Sequence, residues 1–114
     1  MTNTALKTTF IQDAITEMVR RIVTRFNPER VIIFGSHARG TAGPDSDVDL
    51  LVVMHPHGSK RAQAVEIYGL LAGMGVAKDV IVVTPAEFEA YRDAPGTVIR
   101  TARQEGKVLY DRAA

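Results

Sequence analysis

The stretch GSHARGTAGPDSDVDLLVV, residues 35–53, decides how the rest of this chain is read. Three Gly and one Pro between Gly35 and Asp45 mark a turn-rich loop, and Val48 to Met54 reads as an apolar strand. Asp47 and Asp49 stand at the entrance of that strand with one residue between them. The two-residue period of a strand points both carboxylates to one face. Like charges held this close repel unless a cation binds between them. Oxygen-only donors suit Mg²⁺ or Mn²⁺, and two such ions roughly 3.5 to 4 Å apart can clamp the attacking and leaving oxygens of phosphoryl transfer.

Upstream, Gly35-Ser36 comes directly off a short β-branched and aromatic strand, Val31-Ile32-Ile33-Phe34. Gly permits a close backbone approach there and Ser supplies a hydroxyl. Arg39 offers a planar, permanently charged fork for phosphate oxygens, and Gly40 and Gly43 let the loop fold back over them. A triphosphate is the natural guest. Gly35 to Gly40 also has the G-x-x-x-x-G frame of a P-loop, but Thr41 stands where that motif needs Lys, so the P-loop reading is rejected. A third carboxylate would complete a metal site. Asp79 opens the next apolar strand, Asp79 to Val83, and reaches the same metals if the two strands are neighbours about 4.8 Å apart.

Further out, Phe10, Ile11, Ala14, Ile15, Met18, Val19, Ile22, Val23 and Phe26 recur at helical spacing, which predicts an opening helix of about five turns lying on a sheet. Asn27-Pro28 ends it. A second helix is expected from about Lys60 to Ala72, with Ala64, Ile67, Tyr68, Leu70 and Leu71 as its apolar stripe and Gly73 and Gly75 closing it. Thr84-Pro85-Ala86-Glu87 has the layout of a capping box, so a short helix starts there and runs to about Tyr91. A last helix over Thr97 to Gln104 leads past Gly106 to a terminal strand at Val108-Leu109-Tyr110. The link between the first two strands is too short for a helical crossover and suits an antiparallel return. The expected fold class is therefore α/β (α+β), a mixed β-sheet with helices packed on it.

Composition bounds the function. At 114 residues one domain is expected, 1–114, with no room for a separate substrate platform. Fourteen Lys and Arg against thirteen Asp and Glu leave +1, so nucleic acid is not expected as the main partner. The absence of Cys removes disulfides, thiolate metal sites and Cys nucleophiles, and it accords with the cytoplasmic location expected for this chain. No apolar run approaches the roughly 18 residues of a membrane span, and neither a membrane nor a signal peptide enters the reading.

Gly35-Ser36, ten residues, then Asp47-Val48-Asp49 resembles the G-S-x(10)-D-x-D signature of nucleotidyltransferases of the DNA polymerase β-like superfamily. With Arg39-Gly40 and Ser46 the string is similar to the minimal nucleotidyltransferases of that superfamily. The resemblance implies a polymerase β-like nucleotidyltransferase fold, two Mg²⁺ ions with Mn²⁺ as a substitute, and ATP as substrate. It implies that Asp47 and Asp49 bind both metals, that Asp79 binds the catalytic metal and helps activate the attacking hydroxyl, and that Gly35 and Ser36 contact the triphosphate. It also implies a partner: stand-alone members of this kind are often antitoxins of a helical HEPN-domain ribonuclease toxin, and some transfer AMP to a Tyr hydroxyl of it. The alternatives are an antitoxin that neutralises its toxin by binding alone, and transfer to RNA or a small molecule.

Blander readings apply to several neighbours. Asp45 follows Gly43-Pro44 and reads as a solvated turn residue. His55 and His57 flank Pro56 without a third ligand and read as solvated. His37 reads as a surface imidazole within the phosphate loop. Arg39 has an ion-pair alternative, and Arg20, Arg21 and Arg25 read as the wet face of the first helix.

Overall fold

The apolar stripe of the opening segment folds as α1 (Thr4–Phe26) in the computed structural model, which describes residues 4–114. Ala14, Ile15, Met18 and Ile22 are buried, whereas Phe10, read as a member of the stripe, is half exposed. Beyond α1 the chain reverses through Asn27, whose φ of 46° lies in the left-handed region that Asn tolerates better than most residues. Pro28 then sends it into β1 (Arg30–Phe34). The elements that follow are α2 (Ser36–Arg39), β2 (Val48–Val53), α3 (Lys60–Leu70), β3 (Lys78–Val83), α4 (Pro85–Tyr91), α5 (Val98–Glu105) and β4 (Lys107–Asp111).

The four strands form one mixed sheet in the order β3-β2-β1-β4. β1 runs antiparallel to both β2 and β4, so the short link between β1 and β2 makes the antiparallel return expected of it. β2 and β3 are parallel, with α3 as the crossover. Alternation divides the strand residues between two helical layers. Val31, Ile33, Leu50, Val52, Val80 and Val82 pack with α1 and α3. Ile32, Phe34, Leu51, Val53 and Val83 pack with Phe88 of α4 and with Ile99 and Ala102 of α5. Each fully buried aliphatic side chain contributes about 1.5–3 kcal/mol. The sheet is thereby held from both sides, and truncating Leu50, which has no exposed surface, to Ala would cost about 2–5 kcal/mol.

The helix ends follow their local chemistry. Thr84 accepts from the Glu87 N–H while the Glu87 carboxylate accepts from the Thr84 N–H, so the capping box read from the sequence is realised. Ser59 caps α3 by accepting from Ala62 N–H, and Thr97 caps α5 by accepting from Arg100 N–H. The outer strands differ in how their free edges are treated. On β4, Val108 and Leu109 are exposed. On β3, the hydroxyl of Tyr68 accepts the N–H of Val80 at 2.8 Å.

Candidate active site

Asp49 lies at the centre of the sheet's acidic end, because its register partners are Phe34 on β1 and Asp79 on β3. By alternation Asp49 shares its side of β2 with Leu51 and Val53, and Asp79 shares its side of β3 with Ile81 and Val83. Both carboxylates therefore face the α4/α5 side. The parallel pairing that brings them level is set by the α3 crossover. Asp47 sits one residue before β2 and is exposed. Its charge is nonetheless felt at Asp49 and at the Tyr68 hydroxyl.

Gly35 follows Phe34 directly and meets Asp49 from the β1 side. Its φ of 73° and ψ of −156° lie where residues with a β-carbon are rarely found. A β-carbon there would overlap Oδ2 of Asp49. The Gly- and Pro-rich composition predicts residues 35–45 as loop. The structure corrects this: Ser36–Arg39 form a single helical turn, with the Gly35 carbonyl accepting from the Ala38 and Arg39 N–H groups at 3.1 Å. One turn offers no apolar period to read, and Gly40 ends it with φ 76°. Beyond it the loop is drawn back toward Asp47. Nε2 of His37 lies 3.1 Å from the Ser46 carbonyl, and Ser46 Oγ accepts from Gly43 N–H at 2.8 Å. Arg39 lies 3.8 Å from Glu105, both side chains being about half exposed, so a loose surface ion pair is present. His55 and His57 lie at the far end of β2, away from the acidic group.

Electrostatics mark the same place. Burial pushes the Asp49 carboxyl up, and the charges of Asp79 and Asp47 add to the rise, while His37 and Arg39 oppose it. Asp49 thus feels the charge of two further carboxylates, which His37 and Arg39 oppose. Among the described residues no three acidic or imidazole groups form a ready-made metal cage. The donor set, carboxylate oxygen with no sulfur, nevertheless fits a hard divalent cation.

One residue of this group escaped the sequence reading. Tyr68 was assigned to the apolar stripe of α3, and its ring does pack beside the core. Its hydroxyl donates to Oδ1 of Asp79 at 3.0 Å while accepting from Val80 N–H. Burial, and then the adjacent Asp79 carboxylate, push the Tyr68 phenol up. The available signal was chemical: a Tyr placed against a core needs a partner for its O–H.

The mixed sheet thus presents Asp49 and Asp79 as register partners beside the Gly35-Ser36 turn. The sequence matches the family described as nucleotidyltransferase domain over residues 15–109, and the chain belongs to that family. Among solved structures it is similar to a Sulfolobus solfataricus protein assigned as a nucleotidyltransferase, with a TM-score of 0.60 and 23% identity over 99% of this chain and 92% of that one. It is also similar to a structure described as a toxin-antitoxin with AMP-PNP, with a TM-score of 0.60 and 20% identity over 87% of this chain and 72% of that one. At these identities the likeness speaks to the fold, an α+β nucleotidyltransferase architecture. A search of curated proteins returns no significant match.

Proposed function

We propose that the chain is a minimal nucleotidyltransferase that transfers AMP from ATP to a hydroxyl, a Tyr in the leading form, of a partner HEPN-domain ribonuclease toxin, and so acts as its antitoxin. The observation that carries the reading is the register pairing of Asp49 with Asp79 directly beside the Gly35-Ser36 turn. The structural likeness to a toxin-antitoxin with AMP-PNP supports the partner and the nucleotide.

In this reading the triphosphate lies against Gly35 and Ser36, where the missing β-carbon lets the Asp49 carboxylate stand against the backbone of the turn. Arg39, held only by a loose and exposed pair with Glu105, is free to turn toward phosphate oxygens. The acceptor hydroxyl attacks the α-phosphorus in line. The new O–P bond forms as the bond to the bridging oxygen breaks, pyrophosphate leaves, and Asp79 receives the hydroxyl proton. Asp47, Asp49 and Asp79 would hold the divalent ions, two Mg²⁺ or Mn²⁺, whose chemistry is neutralisation of charge on the triphosphate and the attacking oxygen. Positioning and charge neutralisation supply most of the acceleration.

The test is incubation of the chain with a HEPN-domain partner, α-labelled ATP and Mg²⁺. Label is expected on the partner with wild type and is lost with Asp47→Asn. Equal labelling by the two proteins, or none by either, removes the enzymatic reading. Protection of cells by Asp49→Ala, with the complex intact, would favour neutralisation by binding alone. Label in RNA would point to a nucleic-acid acceptor.

A further inference from the structure

The acidic site has a device for fixing its third carboxylate. We infer that Tyr68 is a positioning residue whose hydroxyl fixes the Asp79 carboxylate, so that Oδ2 is presented to the divalent cation and the acceptor. This rests on the nucleotidyltransferase reading of Asp47, Asp49 and Asp79 given above.

Asp79 needs such a device more than Asp49 does. Asp49 is flanked on both sides by paired strands and faces Gly35, so its rotamers are confined by neighbours. Asp79 lies on an outer strand and is exposed. An exposed carboxylate with two side-chain torsions samples several wells unless something holds it. The Tyr68 ring is anchored against the core between α3 and the sheet, beside fully buried Ile67. Its oxygen accepts the Val80 N–H at 2.8 Å, which leaves the phenolic hydrogen to point at Oδ1 of Asp79, 3.0 Å away. The backbone of β3 therefore sets the direction of the hydroxyl, and the hydroxyl sets the plane of the carboxylate. Groups that orient a metal-binding carboxylate in this way commonly affect metal affinity or activity by about 10–100-fold.

Mn²⁺ binding in the presence of a non-hydrolysable ATP analogue, followed by electron paramagnetic resonance, is the direct test. Tyr68→Phe keeps the ring in the core and removes only the hydroxyl. It is expected to weaken Mn²⁺ binding about 10–100-fold while leaving metal-free binding of the analogue unchanged. A double-mutant cycle with Asp79→Asn separates positioning from a general structural effect: Tyr68→Phe should cost nothing further once Asp79 is replaced. Wild-type Mn²⁺ affinity in Tyr68→Phe, alongside weakened binding in Asp79→Asn, overturns the positioning role and leaves the metal reading standing. An additive loss in the double variant overturns it equally. If Asp49→Asn binds Mn²⁺ as wild type does, the metal reading itself fails and takes this inference with it. Recovery of Tyr68 carrying a nucleotidyl group after incubation with ATP would make it an acceptor instead, against the proposal.

Discussion

Gly35 and Asp49 stand so close that the glycine's missing side chain is the space the carboxylate occupies. Gly35 directly follows Phe34, the last residue of β1, and Asp49 on antiparallel β2 is the register partner of Phe34. Gly35→Ala would therefore do two things at once. The backbone there, with φ 73°, disfavours a β-carbon by on the order of 1–3 kcal/mol. The added methyl would also push Asp49 out of place. The expected outcome is a stability loss of about that size in urea denaturation and a nucleotidyl-transfer rate reduced by about a hundredfold or more, as when a catalytic group is misplaced by about 1 Å. Full activity in a stably folded Gly35→Ala would refute the assignment of this turn to the site.

Burial, reinforced by the charges of Asp79 and Asp47, makes Asp49 costly to the fold when no cation is present. Its carboxyl is pushed above the ordinary 3.8 by burial and then by Asp79 and Asp47. A raised acid destabilises the fold once ionised, so the penalty is fully present above the folded value and vanishes below 3.8. In EDTA, Asp49→Asn should thus melt at a higher temperature than wild type at neutral pH, with the gap closing on acidification. Mg²⁺ and ATP should raise the melting temperature of wild type and not that of the variant. Identical melting curves across this pH range would contradict the electrostatic account.

On α1 the sign is opposite. Glu17 accepts from Arg20 and Arg21 at 2.7 Å, and these contacts hold its carboxyl down at about 2 from the usual 4.5. The associated stabilisation is present above 4.5 and is lost as the pH falls from there toward 2. The contacts are on the surface, so salt should diminish them. Comparison of wild type with Glu17→Gln by thermal unfolding should show a small advantage at neutral pH that shrinks in acid and in high salt. An advantage that persists at pH 2 would exclude this origin.

Gly106 is constrained by space rather than by backbone angle, since its φ is an ordinary −85°. A β-carbon there would stand 2.7 Å from the Ile33 carbonyl and 2.8 Å from Ile32 Cγ2, besides overlapping the Ala102 carbonyl. Gly106→Ala should lower stability by about 1–3 kcal/mol, the range for overpacking a filled site, in a urea titration. An unchanged midpoint would mean that α5 can shift away from β1 without cost.

Much of this was legible because it is local. The capping box at Thr84 and the Pro28 stop act within a few residues, and each appears as the sequence predicts. The neighbourhood of Asp79 is different in kind, since it depends on the parallel register between β2 and β3, which no local pattern encodes. Tyr68 was missed because helical periodicity reports which face is apolar and says nothing of where a hydroxyl ends. Val108 and Leu109 read as an apolar strand and do form part of one, but an outer position leaves them exposed. Phe10 likewise fits the α1 stripe by spacing alone and is half exposed.

The unequal edges of the sheet have an assembly consequence. On β3 the Tyr68 hydroxyl already takes the Val80 N–H, whereas β4 presents its exposed side chains at the other rim. A sheet that can add a strand on both rims can polymerise without end, like a row of tiles. The Tyr68 phenol beside Asp79 takes one edge donor of β3 out of that kind of pairing.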